Sequence, residues 1–192
     1  MAKAKKRAAP RKRASQAARR RQTTGGQDAI ALLKADHAQV TEWFGQFESA
    51  RSADRKEKLA EQICQALEVH TQIEEQIFYP AFLEATGEES IHHEAEVEHN
   101  GAKQLIAEIK RAGPDDDYFD ARVTVLREMI RHHVSEEEKR DGMFAKARKA
   151  DMDLMGLGQQ LAALKAELMS DPRMTEERMS SGSSSVHSEP RA

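Results

Sequence analysis

The sequence is poor in cysteine, in aromatic residues and in long apolar runs. Cys64 is the single cysteine and aromatic residues make up 5% of the chain. A single cysteine excludes an internal disulfide and a cysteine-based zinc site, and it fits a reducing compartment. We expect Cys64 to be a small buried apolar residue. No run of about 18 apolar residues is present, and the N-terminus lacks the apolar stretch of a secretory signal. These absences predict a cytoplasmic protein without a membrane span.

Charged and helix-forming residues are abundant instead. Charged residues account for 33% and hydrophobic residues for 39% of the 192 residues, and Ala, Glu, Lys, Arg, Leu and Gln recur throughout. Such a composition is typical of all-α proteins. A chain of this length is long enough for one domain with a sizeable core and two tails.

The charge is unevenly divided along the chain. Residues 1–22 contain ten Lys or Arg and no acid, and the remaining 20 basic and 33 acidic residues give the rest of the chain a net charge of -13. We expect residues 1–27 to be a disordered basic arm. It could bind nucleic acid weakly and without sequence specificity through residues 3–21, or it could act only as a solubilising arm. Residues 2–28 contain no Leu, Ile, Val or Phe, which argues against an amphipathic mitochondrial presequence and against membrane binding.

Apolar residues at alternating steps of three and four predict four helices within residues 28–150. Asp28 is a plausible N-cap for the first helix. Pro80 should kink the second helix or end its regular part early, and Gly87 should end it. The fourth helix is expected to run to about Lys149, with Gly142 inside it. Four such helices predict an all-α, up-down-up-down bundle.

Residues 151–170 are predicted to form a fifth helix, with the same rhythm in Leu154, Leu157, Leu161, Leu164 and Leu168. This apolar stripe needs a partner surface. The helix would either lie against the bundle or form a homodimer contact. Residues 171–192 contain six Ser, three Glu and one Gly and are expected to be a disordered tail.

Histidines lie on the apolar stripes of all four bundle helices: His37, His70, His99 and His133. On the second and fourth helices a glutamate follows four residues later, at Glu74 and Glu137. Residues four apart lie one above the other on a helix face, so each pair presents an imidazole and a carboxylate to the same place.

A metal ion would explain this pattern. A single such His–Glu pair is usually a solvated surface pair, but unpaired imidazoles and carboxylates in a bundle core cost several kcal/mol. Four inward histidines with two matching glutamates therefore predict a metal centre. Imidazole and carboxylate together suit iron, and glutamates from two helices can each bridge two ions.

The remaining histidines of the four helices are less suited to the interior. His132 with Glu136 is the rival to His133 with Glu137, and we favour the latter pair because Ile130 continues its apolar stripe. We expect His92, about 10 Å along the helix from His99, to be a surface residue, and His93 likewise. Trp43 is expected to belong to the core.

The motifs Asp36-His37, His70-x3-Glu74-Glu75, Phe78-Tyr79-Pro80, Glu98-His99 and His133-x3-Glu137-Glu138 resemble those of the hemerythrin-like, or HHE cation-binding, family. The resemblance covers about residues 28–150. It implies an up-down-up-down four-helix bundle with a non-haem di-iron site. It also implies that His37, His70, His99 and His133 are terminal ligands and that Glu74 and Glu137 are bridges.

One departure from the family pattern concerns the third helix. Oxygen-carrying hemerythrins have a second histidine four residues after the first, and this chain has Lys103 there. Six protein ligands would leave more open positions on one iron. That favours iron sensing, reactivity with peroxide or nitric oxide, or a mononuclear site over reversible oxygen carriage.

The leading functional prediction is a di-iron protein that binds or senses oxygen or a related small ligand, or buffers iron. Catalysis is not its basis, because the sequence shows no nucleophile with an adjacent base and no Gly-rich phosphate loop. The alternatives are a ferroxidase or another di-iron oxidase, and a nucleic-acid-associated protein whose basic arm responds to the metal state of the bundle.

Overall fold

A computed structural model describes residues 26–171, and within this range every regular element is a helix. The all-α prediction is therefore confirmed, while most of the predicted arm and tail lies outside the described residues. No helix among residues 26–171 combines the length and the apolar character that crossing a membrane requires. The elements are α1 (Ala29–Ser49), α2 (Ala53–Ile73), the π-helical segment π1 (Glu74–Phe78), α3 (Tyr79–Thr86), α4 (Glu89–Ala112), α5 (Phe119–Glu138), α6 (Met143–Lys149) and α7 (Leu154–Ser170).

Four long helices enclose the core and confirm the predicted bundle. Helix α1 packs against α2 and α5, α2 also packs against α4, and α4 packs against α5. Each helix thus has two neighbours, and the four close into a ring. The ring gives one interior to which all four apolar stripes point.

The interior consists of two apolar clusters with polar residues between them. Along α1, Leu33 belongs to one cluster and Val40 to the other, with His37 between them. Along α2, His70 lies in the same way between Leu67 and Ile73. An α-helix rises by only 1.5 Å per residue. Because both histidines lie at the boundary between the two apolar clusters, they occupy one layer across the bundle.

The predicted cap and end of the first two helical stretches agree with the structure. The Ala31 backbone N–H donates to Asp28 Oδ1 at 2.7 Å, so Asp28 caps α1. Gly87 follows α3 with a φ of +66°, where its lack of a side chain avoids strain. The second predicted helix is therefore divided into α2, π1 and α3 and ends where Gly87 predicts.

Pro80 changes the helix without ending it. The backbone N–H of Tyr79 bonds to the carbonyl of Glu74, five residues earlier, and the chain then continues as α3 to Thr86. A proline has no N–H to donate and its ring clashes with the carbonyl four residues before it. The wider π turn accommodates that ring, and Phe78 and Tyr79 are both fully buried.

The prediction of one continuous fourth helix to Lys149 is wrong. Helix α5 ends at Glu138 and α6 begins at Met143. At the join, a Cβ atom on Gly142 would lie 2.2 Å from the carbonyl oxygen of Glu136 and 2.7 Å from that of Glu137. Gly142 therefore allows the backbone to turn back closely against the end of α5.

Helix α7 covers the outside of the bundle. It packs against α1, α2 and π1, with Leu161 buried and the other four leucines of its stripe partly buried against the same cluster. A Cβ atom on Gly158 would lie 2.2 Å from the carbonyl oxygen of Gln27, so α7 closely approaches the start of α1. The apolar stripe thus has its partner surface within the chain, and a homodimer contact through α7 remains a prediction.

Candidate metal centre

The six residues singled out by sequence lie together in the polar layer. Helix α1 supplies His37, α2 supplies His70, π1 supplies Glu74, α4 supplies His99, and α5 supplies His133 and Glu137. The exposed fraction of each is 5% or less. The structure thus places four imidazoles and two carboxylates together in the bundle interior, where water cannot solvate them.

The four histidines form two close pairs. His37 Nε2 is 3.1 Å from His70 Nε2, and His99 Nε2 is 3.2 Å from His133 Nε2. Nitrogen–metal bonds of imidazole ligands are about 2.1 Å long, so two nitrogens on one metal ion lie about 3 Å apart. Each pair therefore has the separation expected of two ligands of one ion.

The two glutamates lie between the histidine pairs. Glu74 Oε2 is 3.1 Å from His70 Nε2 and 3.4 Å from His99 Nε2. The two oxygens of Glu137 lie beside different histidine pairs. Oε2 is 3.4 Å from His37 Nε2, and Oε1 is 3.8 Å from His133 Nε2. Both carboxylates reach toward both pairs, which is the arrangement a bridging carboxylate requires.

Three sets of donor atoms among the described residues are compact enough to hold a metal ion each. The set of Glu94, Glu98 and His132 is largely exposed, and the other two are buried in the centre. His37, His70 and Glu74 form one set, and Glu74, His99 and His133 form the other, with the ligand atoms of each set within 4.8 Å of one another. Glu74 Oε1 and Glu137 Oε2 are buried without a hydrogen-bond partner. Buried carboxylate oxygens of this kind are costly unless a cation binds them, so the residues fit a pair of metal ions.

The charges of the buried groups depend strongly on one another. Burial and the neighbouring Glu74 carboxylate hold the pKa of Glu137 well above its usual range. Burial alone would lower the pKa of His70, but Glu74 and Asp36 raise it to about 10, and the pKa of Glu74 is held well below its usual range by His70 despite its burial. Burial and His70 lower the pKa of His37 to about 4. A bound divalent cation would take the place of the positively charged His70 in neutralising the Glu74 carboxylate.

A second layer of carboxylates surrounds the histidines: Asp36, Glu75, Glu98 and Glu138, here called the outer carboxylates. The Nδ1 atoms lie 2.9 Å from Glu138 Oε1 for His37, 3.0 Å from Glu75 Oε1 for His99, 2.7 Å from Glu98 Oε2 for His133 and 3.6 Å from Asp36 Oδ2 for His70. In a neutral imidazole, an Nδ1–H that donates to a carboxylate leaves the lone pair of Nε2 free to bind a metal. The outer carboxylates thus set the orientation in which the rings can bind a metal.

The outer carboxylates connect the helices in a closed order. Each outer carboxylate is adjacent in sequence to a predicted ligand and contacts the histidine of another helix. Asp36 of α1 contacts His70 of α2, Glu75 of π1 contacts His99 of α4, Glu98 of α4 contacts His133 of α5, and Glu138 of α5 contacts His37 of α1. Sequence reasoning quoted these acids within the family motifs but assigned them no role. Their signal was an acid beside four of the six predicted ligands, His37, Glu74, His99 and Glu137. Only the packing of the helices pairs each acid with its histidine.

Tyr79 is a further residue of the centre that sequence reasoning missed. Its Oη atom is 3.1 Å from His99 Nε2, 3.1 Å from Glu137 Oε1 and 3.3 Å from Glu74 Oε2. Burial, with the Glu74 and Glu137 carboxylates, raises the pKa of Tyr79 well above its usual range. Without a metal, Tyr79 is therefore a neutral phenol with one hydrogen to donate.

The histidines outside the six have different surroundings. His132 is 62% exposed and its Nε2 is 3.2 Å from Glu98 Oε1, so the choice of His133 for the interior agrees with the structure. The expectation of a surface position for His92 is wrong, because its side chain is only 14% exposed and its ring meets the Tyr79 ring edge-on at 5.9 Å. Trp43 is partly buried against the core, and Cys64 is buried as expected.

Lys103 binds an outer carboxylate. Its Nζ atom lies 2.6 Å from both carboxylate oxygens of Glu75, and Glu75 in turn contacts His99 Nδ1. Where oxygen carriers have a ligand, this chain therefore has a cation that holds an outer carboxylate in place.

A cleft of about 270 Å³ is lined by two of the predicted ligands, His133 and Glu137. The turn between α5 and α6, with Gly142, forms part of its wall. Its lining also includes four carboxylates and one lysine: Glu94, Glu98, Glu136, Asp141 and Lys139. The cleft thus offers small molecules and cations a negatively charged approach to two predicted ligands.

Comparison with known proteins gives three findings. The model of the hemerythrin HHE cation-binding domain family matches residues 28–147. A crystal structure of an HHE cation-binding domain-containing protein from Mycobacterium kansasii is similar with a TM-score of 0.60 and 23% identity, covering 80% of this chain and 89% of that one. A protein named DNA nickase from Nostoc is 27% identical over 107 residues, which are 56% of this chain. That match spans only 30% of the Nostoc protein.

Proposed function

The chain belongs to the hemerythrin HHE cation-binding domain family, and on that premise we propose that it is a non-haem di-iron protein that binds or senses oxygen or a related small ligand. Buffering of iron is part of the same proposal. The observation that carries it is the pair of donor sets that share Glu74. Two ions held by one shared carboxylate are the simplest occupants of that arrangement.

The six residues divide into terminal and bridging ligands. His37 and His70 would hold one ion, His99 and His133 the other, and Glu74 with Glu137 would join them. Imidazole and carboxylate together suit iron. With few protein ligands for each ion, open positions are left for a small ligand.

The acidic cleft supports access by small neutral ligands and by cations. A negatively charged wall raises the local concentration of cations and lowers that of anions. Ferrous iron, oxygen and hydrogen peroxide would therefore enter more readily than anionic substrates. The cleft supports both parts of the proposal, since iron and its small ligand could use the same route.

Iron loading tests the proposal. Anaerobic protein is loaded with ferrous iron, bound metal per chain is measured, and the absorption spectrum is followed as oxygen is admitted. We expect two irons per chain and a new visible absorption band. The double variant Glu74→Ala/Glu137→Ala should lose both, whereas the double variant Glu84→Ala/Glu96→Ala, with two exposed glutamates changed, should behave as the wild type.

Other results would assign a different function or none. One iron per chain would contradict the dinuclear centre, and iron binding that is indifferent to Glu74 and Glu137 would refute it. Oxidation of many ferrous ions per chain, with the bound iron retained, would instead assign ferroxidase activity.

Association with nucleic acid is a second candidate, favoured by the ten Lys or Arg among residues 1–22. Lys and Arg neutralise phosphates and release counterions, giving weak, salt-sensitive binding. The name of the Nostoc relative also concerns DNA, although the chain matches less than a third of that protein. The bundle would then report its metal state to the arm.

A further inference from the structure

We propose that Glu94, Glu98 and His132, here called the entry site, bind a divalent metal ion at the cleft and pass it to the buried centre. The inference rests on the proposed di-iron function, since it assigns a loading route to that centre. None of the six predicted ligands belongs to the entry site. The ion is of the first-row divalent class that imidazole and carboxylate bind together, such as ferrous iron.

The entry site combines one imidazole and two carboxylates from two helices. Glu94 and Glu98 lie four residues apart on α4 and share one face of it, and His132 comes from α5. The three ligand atoms lie within 4.8 Å of one another, and His132 Nε2 is 3.2 Å from Glu98 Oε1. Two donors bound to one ion lie about 3 Å apart, so this last pair already has the required separation.

The side chains of the entry site are open to solvent on their outer side. His132 is 62% exposed and Glu98 19%, and Glu94 is exposed as well. An ion can therefore arrive from solvent and keep water in its remaining positions. A site that passes an ion on must also bind it weakly enough to release it, and three exposed protein ligands meet that condition.

Glu98 differs from the other outer carboxylates in its partner on the outer side. Each of the other three pairs with a lysine: Lys34 with Glu138, Lys103 with Glu75 and Lys165 with Asp36. Glu98 has His132 in that place. A lysine ammonium has no lone pair for a metal ion, whereas an imidazole can supply one. Of the four outer carboxylates, Glu98 is thus the one whose outer partner is itself a metal ligand.

Glu98 also connects the entry site with the centre. Its Oε1 atom faces His132, and its Oε2 atom is 2.7 Å from Nδ1 of His133. His133 is a predicted ligand of the centre. A single carboxylate group therefore separates the proposed point of arrival from the first ligand inside.

The cleft contains both ends of the proposed route. Its lining includes two residues of the entry site and two of the centre: Glu94, Glu98, His133 and Glu137. Glu137 is 2% exposed and its Oε2 atom has no hydrogen-bond partner, so a cation that enters the cleft meets an unpaired carboxylate oxygen. Lys139 also lines the cleft, but its amine pairs with Glu136.

The direction of transfer follows from the two sets of donors. The entry site offers three ligands beside water, whereas the centre offers each ion two histidines and two shared glutamates that are shielded from water. Attraction between an ion and a carboxylate is stronger where water is excluded. Binding at the entry site requires the lone pair of His132 Nε2, so a proton on that atom leaves to solvent. The ion keeps its oxidation state throughout.

A matched pair of double variants tests the entry site. Glu94→Gln/His132→Gln removes two of the three donors and leaves the contact of Glu98 with His133 intact. Glu96→Gln/His93→Gln makes the same chemical changes at exposed positions of α4 outside the entry site. Both variants have the same net charge, so only the entry site distinguishes them.

The first measurement is the rate at which the centre of the metal-free protein takes up Co²⁺, followed by visible absorption after rapid mixing without oxygen. Uptake should be about 10-fold slower in Glu94→Gln/His132→Gln, the lower end of the effect of a focusing cleft on association. It should proceed at the wild-type rate in Glu96→Gln/His93→Gln. The final Co²⁺ content should be equal in all three proteins, because the six ligands of the centre are unchanged.

The second measurement locates the ion at the entry site itself. The centre is first filled with Zn²⁺, which binds such donors more tightly than Mn²⁺, and Mn²⁺ is then added in small amounts. Paramagnetic broadening of backbone amide signals should begin around Glu94, Glu98 and His132. It should be absent there in Glu94→Gln/His132→Gln and present in Glu96→Gln/His93→Gln.

Circular dichroism of each metal-free variant checks its folding. If Glu94→Gln/His132→Gln does not fold, the single variants Glu94→Gln and His132→Gln repeat both measurements.

The outcomes separate this inference from the function on which it rests. An unchanged uptake rate in Glu94→Gln/His132→Gln, or no Mn²⁺ broadening that depends on Glu94 and His132, would overturn the inference and leave the di-iron function standing. Equal slowing in both double variants would also overturn it, since net charge alone would then explain the rate. A wild-type protein that takes up no stoichiometric metal would overturn both.

Discussion

At the scale of the residue, three of the four predicted histidine ligands, His37, His99 and His133, are held by a hydrogen bond between Nδ1 and an outer carboxylate. His70 Nδ1 has no hydrogen-bond partner and lies 3.6 Å from Asp36 Oδ2. His133 shows the hydrogen bond most directly, because its Nδ1 lies 2.7 Å from Glu98 Oε2. The ring cannot then rotate without breaking a contact to a charged acceptor, and hydrogen bonds to charged groups contribute about 1.5–3 kcal/mol. The outer carboxylates are therefore expected to influence metal affinity although they need not touch the metal.

The variant Glu98→Ala tests this effect. Without the carboxylate, His133 loses the partner that fixes its tautomer and orientation, and metal affinity should fall by about 10- to 100-fold. Competition with a chelator of known affinity would measure the change. Glu96→Ala, a control on the same helix at an exposed position, should retain wild-type affinity. Equal affinities of the two variants would show that the outer carboxylate does not act on the metal.

At the scale of the element, the break between α5 and α6 shapes both the centre and the cleft. Glu137 lies one residue before the end of α5, and Phe144 of α6 stacks on the His37 ring at 5.7 Å. A single continuous helix would carry Phe144 along the bundle instead of returning it over the histidines. The turn is therefore part of the construction of the site.

The variant Gly142→Ala should destabilise this turn. Its new methyl group would meet the carbonyl oxygens of Glu136 and Glu137, and overpacking of this kind costs about 1–3 kcal/mol. Urea unfolding of the metal-free protein would measure the loss. Gly45→Ala is the matched control, because Gly45 is exposed within α1 with nothing within 4 Å of a new Cβ atom. It should gain about 0.5–1 kcal/mol, and an equal gain in Gly142→Ala would contradict the close approach.

Helix α7 also acts on the centre from outside. Lys165 pairs with the outer carboxylate Asp36, whose other oxygen is 3.6 Å from His70 Nδ1. Burial works against ionisation of Asp36, but His70 and Lys165 lower its pKa. Helix α7 thus helps to keep an outer carboxylate charged, in addition to covering an apolar face of the bundle.

At the scale of the whole molecule, positive and negative charge are separated along the sequence. Residues 1–22 are basic and the rest of the chain has a net charge of -13. If these residues bind nucleic acid, the acidic remainder should limit the contact to them. Affinity for duplex DNA should then fall steeply with salt, with a log–log slope of about 0.9 for each phosphate neutralised.

Deletion of residues 2–22 tests this prediction. The truncated protein should lose retention of duplex DNA at low salt in a gel-shift assay, because it has lost ten Lys or Arg. Deletion of residues 172–192 is a matched control, since it removes the same number of residues with three Arg and three Glu. That control should bind as the full chain does. If the full chain does not bind DNA at low salt, the proposed association with nucleic acid is refuted.

The sequence by itself determined the helical class of this protein and the layer in which its histidines lie. Burial of an apolar stripe requires residues three and four apart to face inward, so His37, His70, His99 and His133 had to share the interior with Glu74 and Glu137. Their roles as ligands stay a prediction. The positions followed from local periodicity, which a sequence shows directly.

Only the tertiary structure decided which atoms meet. The outer carboxylates act on histidines of a neighbouring helix, and no periodicity within one helix reveals such a pairing. Tyr79 reaches the centre through a π turn beside Pro80, and the turn at Gly142 rests on a close backbone approach that the sequence pattern did not show. Contacts between helices depend on packing across the bundle, and for that reason they appear only when the chain is folded.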